Sequence, residues 1–373
     1  MNLRISLSII LASLSNSGCS VPQSADVREA GFVEVNDIRF DSHLREMAAE
    51  EHFTGAALVM REGKIVHAKG YGAATSGRAN HADTRFHVGS ITKQFTAAAI
   101  LQLVEKGVLK LDGSINVYLP QKYQSSKWNA VTVHQLLSHT SGITDYAVTR
   151  DYYDVVKGFC LGDTVDGMIA EAMAKELEFA PGSKYSYTNL GYTLLGAIIE
   201  YQANTSYGEY IKANIFAPMG MTSSQIHVAG HVLAEDEAAG FRWSEGQAKH
   251  VPDDVETLPV TAPDGGLITT LADFAKWSRI FSGEAQTILS QESIKLMSSP
   301  QIRIGNGGPL DSMGYGLYVG DRLIGHGGLI VGFSSQFVID RETDSLIVVF
   351  SNDASGNPQL VAFGLLTLLL APG

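Results

Sequence analysis

In the stretch HVGSITKQF, residues 87–95, Ser90 and Lys93 stand three positions apart, just ahead of the apolar run AAAILQLV. A serine hydroxyl is a poor nucleophile at neutral pH and needs a base within hydrogen-bond reach. On a helix, a spacing of three puts two side chains on one face, about 5–6 Å apart at Cβ. Lysine can act as that base only where desolvation or nearby positive charge lowers its pKa, and the apolar run supplies burial. The unpaired N–H groups at a helix start would favour the negative charge that develops in acyl transfer. Taken alone, S-x-x-K also arises from a capping serine followed by a surface lysine. Its company makes it specific: KYSYTNLGY carries Tyr187 and Asn189, and IGHGGLIVGF carries His326, Gly328 and Leu329 on a strand-like run.

Other reactive residue types read as structural. His227 and His231 in HVAGH have the spacing of a helical metal pair, but Gly230 weakens a helix there and no third ligand is evident, so they read as surface or loop histidines. His139 in SHTSG reads as a hydrogen-bonded structural residue at a helix end. Cys160 lacks the context of a nucleophilic thiol and reads as an inert buried one. There is no G-x-S-x-G elbow, H-E-x-x-H helix or phosphate-binding G-x-x-x-x-G-K loop.

The chain has 373 residues, 45% hydrophobic and 18% charged, enough to bury a sizeable core. A net charge of −12 without any basic run argues against a nucleic-acid partner and for a small or peptidic substrate. The opening MNLRISLSIILASLSNSGCS has a basic start, an apolar run and small residues, the pattern of an export signal. Cys19 after Ser17 and Gly18 resembles the lipobox of bacterial lipoproteins, although Asn16 stands where most have an aliphatic residue. Residues 1–19 are therefore expected to be a signal peptide and residues 20–35 a tether. Lipidated Cys19 would anchor the protein to a membrane of the cell envelope or periplasm. Loss or lipidation of Cys19 leaves no intramolecular disulfide.

Strands are expected at GAALVM and KIVHAKGYG, joined through REGK with Gly63 at a positive-φ turn position. A helix is expected from Ser90 to Lys106, stopped by Gly107. VTVHQLLSHTSGI, VDGMIAEAMAKELEF and LGYTLLGAIIEYQ read as helices, making the middle of the chain mainly α. Thr270 followed by Asp273 reads as a capping box for the helix through FAKWSRIF. YGLYV, RLIGHGG, FSSQFVID and SLIVVFSN read as an antiparallel meander, and QLVAFGLLTLLLA as a helix packed on it, too short to span a bilayer.

The ordered set Ser90-x-x-Lys93, Tyr187-x-Asn189 and His326-x-Gly328 resembles the serine β-lactamase and penicillin-binding-protein superfamily, in its class C β-lactamase and D,D-peptidase-like branch. LLSHTSGI and DGGLITTLADFAKW are similar to family segments, and the resemblance runs from about Asn36 to the C-terminus. It implies an α+β fold of the β-lactamase/transpeptidase type, an antiparallel sheet flanked by terminal helices with an inserted, mainly helical lobe. The domain would span 36–373, its α/β part about 36–115 and 265–373, and the lobe about 116–264. The resemblance implies that Ser90 is acylated, that Lys93 and Tyr187 shuttle its proton, and that Asn189 holds the substrate amide. It further implies that the strand with His326 lines the cleft and that the N–H groups of Ser90 and Leu329 form the oxyanion hole, with no metal or cofactor. A phenol beside a lysinium is expected to lose its proton more readily.

Two departures bear on substrate. His326 stands where class C β-lactamases have lysine, and Gly327 where many members carry a threonine hydroxyl. H-x-G occurs in D,D-carboxypeptidases, D-aminopeptidases and esterase-like members, so the leading expectation is a D-amino-acid peptide of cell-wall type, derived from peptidoglycan. β-Lactam or ester hydrolysis is the alternative, and a slowly deacylating penicillin-recognising sensor would carry the same residues. With an ordinary pKa of about 6.5, His326 is expected to be mostly neutral at pH 7 and to charge toward pH 6.

Overall fold

The computed structural model describes residues 34–50, 53–145, 165–228, 230–244, 246–247, 249–253, 262–283 and 288–371. The export segment, Cys19, most of the tether and Cys160 lie outside the described residues. Val35, assigned from the sequence to the tether, exchanges backbone hydrogen bonds with Ala68 at 3.1 and 2.8 Å.

Helix α1 (Ile38–Glu50) precedes a hairpin of β1 (Gly55–Arg61) and β2 (Lys64–Tyr71). The connecting residues Glu62 and Gly63 have φ of 51° and 70°, the two positive values of a type I′ turn. A small hairpin, β3 (Ala73–Thr75) with β4 (Arg78–Ala79), leads to β5 (Phe86–His87). A 3₁₀ turn, Gly89–Thr92, then opens α2 (Lys93–Glu105). Every residue from Lys93 to Leu103 is buried, as suits a helix apolar on all sides. Gly107, at φ 70°, ends it: its N–H bonds to Val104 O at 2.9 Å and that of Val108 to Leu103 O at 2.9 Å, the paired closure of a Schellman motif.

The described residues of the middle of the chain are mainly helical up to Met219, through α3 (Ile115–Tyr118), α4 (Val133–Leu137), α5 (Val165–Ala174), α6 (Asn189–Ala203), α7 (Tyr207–Ile211) and α8 (Ala217–Met219). After that it turns to strand and loop: β6 (Gln225–Ile226), then the hairpin of β7 (Phe241–Ser244) and β8 (Lys249–Pro252). The mainly helical lobe thus ends in short strands and loops. VTVHQLLSHTSGI is also less helical than expected, because His139 at φ 56° and Gly142 at φ 76° turn the chain away after the five residues of α4. Helix α4 carries a reciprocal capping box, Thr132 with Gln135.

The short α9 (Ala262–Gly265) precedes β9 (Leu267–Thr269) and α10 (Leu271–Ser278). Thr270 Oγ1 accepts from Asp273 N at 3.2 Å, but the Asp273 carboxylate does not turn back to complete the expected box. It accepts instead from Ser223 N at 2.7 Å and Lys276 Nζ at 2.8 Å. Helix α11 (Gln291–Met297) follows, then β10 (Ile302–Arg303), β11 (Ser312–Met313), β12 (Tyr318–Val319), β13 (Leu323–Ile330), β14 (Phe333–Asp340), β15 (Ser345–Ser351) and α12 (Pro358–Leu370).

Eight strands form one antiparallel sheet in the order β10-β11-β12-β13-β14-β15-β1-β2, so strands from both ends of the chain meet where β15 pairs with β1. Both faces of its centre are buried. Ala56, Leu58, Val348 and Phe350 point into the larger core with α2 and α10. Ala57, Val59, Ile347 and Val349, one position out of phase, pack with Phe40 and Leu44 of α1 and Val361 and Leu365 of α12. Alternation thus serves two cores, which is why these strands read as unbroken apolar runs.

Candidate active site

The nucleophile turn is fixed from several sides. Thr92 Oγ1 donates to Gly89 O at 2.7 Å and accepts from Leu267 N at 2.9 Å. Strand β13 lies alongside. Strand β12 pairs only with Ile324 and Gly325 of it, leaving His326 onward to run past the turn. A Cβ on Gly328 would lie 2.0 Å from Val88 O and 2.4 Å from Ser335 Oγ, and one on Gly89, at φ 52°, 2.9 Å from Leu329 N. Glycine at both positions therefore lets the strand at Gly328 and Leu329 approach the backbone of Val88 and Gly89, next to Ser90, whose N–H and that of Leu329 are expected to form an oxyanion hole.

The spacing of Ser90 and Lys93 does what the sequence implied. Lys93 is wholly buried, and Nζ donates to Ser90 Oγ at 3.0 Å, Asn189 Oδ1 at 2.8 Å and Asp264 O at 2.8 Å. Burial lowers its pKa to about 8, against the opposing pull of Asp264 and Asp145. When the amine loses a proton, the two carbonyl acceptors can keep the remaining N–H groups, which aims the lone pair at Ser90 Oγ. The structure so brings together Ser90, Lys93 and Asn189, with Nζ also 5.0 Å from the centre of the Tyr187 ring.

Tyr187 and Asn189 come from the start of α6. Thr188 caps that helix by accepting from Gly191 N at 3.3 Å. Asp145, which nothing local in the sequence marks, accepts from Leu190 N at 2.9 Å and Asn189 Nδ2 at 3.4 Å, and so orients the Asn189 amide. His139 is buried, as a structural residue should be, and accepts at Nδ1 from Thr188 N at 3.2 Å. It also stacks on the Tyr187 ring, with centroids 4.3 Å apart and planes 22° apart, a positioning contact the sequence did not reveal. Burial pushes the Tyr187 phenol well above its usual 10, while its contact with Ser90 opposes the shift. The expectation of an easily ionised phenol is thus reversed: desolvation outweighs the contact with Ser90.

His326 is 2% exposed. Its Nδ1 donates to Gly327 O at 2.5 Å, and the ring stacks on Tyr318 at 4.7 Å. Burial first, and Lys93 second, bring its pKa down to about 3, so the expected charging toward pH 6 does not occur. A Cβ on Gly327 would meet Gln336 Oε1 at 3.0 Å. Leu329, by contrast, is 68% exposed and offers an apolar surface beside the turn.

His227 and His231 lie in loop, as the reading of surface or loop histidines allowed, but not at the surface in the case of His227. His227 is 7% exposed, and His87, distant in sequence, supplies the third imidazole that sequence reasoning could not find. The pairing of β5 and β6 with the same strand, β9, brings them together.

Among known proteins, a family described as Beta-lactamase matches residues 40–368. A penicillin-binding protein of Bacillus subtilis is 28% identical over 329 residues, covering 83% of this chain and 70% of that protein. The octameric penicillin-binding protein homologue from Pyrococcus abyssi superposes with a TM-score of 0.78 at 31% identity, over 89% of this chain and 77% of that one. A D-stereospecific amidohydrolase from Streptomyces sp. superposes with a TM-score of 0.70 at 25% identity, over 87% and 97%.

Proposed function

The chain belongs to the Beta-lactamase family and is a serine hydrolase, and from that premise we propose that it hydrolyses amide bonds of D-amino-acid peptides and amides through an acyl-enzyme on Ser90. Neutral Lys93 takes the Ser90 proton as Oγ attacks the carbonyl carbon. The oxyanion forms against the N–H groups of Ser90 and Leu329, donors that need no reorganisation. Tyr187, held protonated, delivers a proton to the departing nitrogen and is reprotonated from the Lys93 ammonium. Asn189 binds the substrate amide. Water then attacks the ester carbonyl, Lys93 again serving as base, and Ser90 recovers its proton.

The observation that carries this reading is the buried Lys93 amine 3.0 Å from Ser90 Oγ, with a pKa of about 8. The choice of a D-amino-acid substrate rests on the likeness to the D-stereospecific amidohydrolase. Neutral His326 beside Gly327 offers neither a full charge nor a hydroxyl to a carboxylate, which favours amides uncharged at that strand. The test is a screen of the purified protein against D-alanine p-nitroanilide, its L-isomer, a D-alanyl-D-alanine peptide, a chromogenic cephalosporin and a p-nitrophenyl ester. Highest kcat/KM on the D-anilide is expected. Equal rates on both enantiomers, or turnover of the ester or cephalosporin alone, would reject the substrate assignment.

The protein is further proposed to be exported and lipid-anchored through Cys19, on the pattern of residues 1–19. Cys19→Ala should move it from the membrane to the soluble fraction; an unmodified N-terminus by mass spectrometry would reject the anchor.

A further inference from the structure

Beyond the acyl-transfer residues, three histidines and a glutamate meet next to the nucleophile turn. His87 ends β5, three residues before Ser90, and His227 directly follows β6. Backbone hydrogen bonds hold three of the four: His227 N to Gly266 O at 2.7 Å, His231 N to Val228 O at 3.0 Å and Glu237 N to Ala234 O at 3.1 Å; His87 is held by pairing with Ile268 of β9. Ring centroids are 5.2 Å apart for His87–His227 and for His227–His231, and 6.2 Å for His87–His231. One nitrogen from each ring lies within 4.8 Å of the other two. His87 Nε2 and His231 Nε2 stand 3.1 and 2.9 Å from the same Glu237 Oε1. Adjacent ligands of a tetrahedral zinc ion, with bonds of about 2.0–2.1 Å, are about 3.3 Å apart.

Two observations separate this cluster from a plain hydrogen-bonded one. Nδ1 of His227 is buried without a hydrogen-bond partner, in a residue 7% exposed, and such an atom is an exception that needs a reason. The Glu237 carboxylate is fully buried, with His87 and His231 nitrogens at 2.9–3.1 Å and Arg85 no closer than 3.8 Å, so the charge that a buried carboxylate requires must come from within the cluster. We propose that His87, His227, His231 and Glu237 bind one divalent cation of the zinc type, in a closed structural site that ties His231 and Glu237 to β5 and so steadies the turn bearing Ser90. Three imidazoles and a carboxylate suit zinc, and a closed four-ligand set leaves no open position for chemistry.

The test uses full-length protein purified without a histidine tag, incubated with zinc and desalted. Elemental mass spectrometry should find one equivalent of zinc per chain, and cobalt(II) in its place should give the intense visible bands of a tetrahedral centre. His227→Gln and His231→Gln should each lose the metal, while the exposed His81→Gln keeps it. Zinc should raise the melting temperature of chelator-treated wild type by roughly 5–10 °C. Wild type that retains no metal and gains no stability, or metal kept by both variants, would overturn the site. Should a variant fail to fold, wild-type stoichiometry and the cobalt spectrum decide.

Discussion

Lys93 sets the terms of the proposed chemistry, because a lysine with an ordinary pKa would hold its proton at every working pH. With its pKa lowered to about 8, kcat/KM should rise about tenfold per pH unit below that value and level off above it. Lys93→Ala should abolish this limb along with most activity. A profile flat from pH 6 to 9 would remove Lys93 as the base. His326 gives the opposite expectation: with a pKa of about 3, it stays neutral from pH 5 to 8.5. The kcat/KM ratio between a carboxylated and an uncharged substrate should therefore be unchanged by its ionisation over that range. A His326→Lys variant should shift the ratio toward the carboxylated substrate, and a wild-type ratio that changed several-fold near pH 6.5 would contradict the buried, neutral ring. At this scale the sequence revealed what depends on spacing, namely Ser90 with Lys93 and Tyr187 with Asn189. It did not reveal Asp145, the stacking of His139 on Tyr187, or the environment that neutralises His326, because those arise from segments far apart in the chain.

The elements that carry these residues owe their placement to a few close approaches. Gly328 is where β13 passes the nucleophile turn, with room for no Cβ. Gly328→Ala should push the strand away, lowering kcat/KM at least about a hundredfold, since a displacement of about 1 Å is enough for that. The overpacking should cost only about 1–3 kcal/mol. Kinetics and denaturant unfolding on the same variant test both, and full activity would show that the strand does not need this approach. Long apolar strands and helices such as β14, β15, α2 and α12 were readable in the sequence because their extended apolar runs outweigh local signals. The two-residue strands β5 and β6 were not, since nothing so short carries a period. Asp273 was misread because a carboxylate at the third helical position can serve a distant loop as easily as its own cap.

At the scale of the molecule, strands at both chain ends with helices between them implied one sheet closed by the termini, and β15 beside β1 is that closure. The two cores on its faces have separate duties. Leu365, fully buried between α12 and the sheet, lies in the core opposite the one that holds α2. Leu365→Ala should cost about 2–5 kcal/mol in unfolding free energy yet leave kcat/KM within about twofold at temperatures where the protein stays folded. A proportionate loss of activity would mean the two cores are not independent. Every step of the proposed chemistry depends on acylation of Ser90 Oγ. Trypsin should release it on the peptide from Phe86 to Lys93, so the direct measurement is a peptide map after brief exposure to a fluorophosphonate or penicillin. A stoichiometric adduct on that peptide, absent in a Ser90→Ala variant that melts within a few degrees of wild type, is the predicted result. An adduct on another peptide, or equal labelling of the variant, would contradict it.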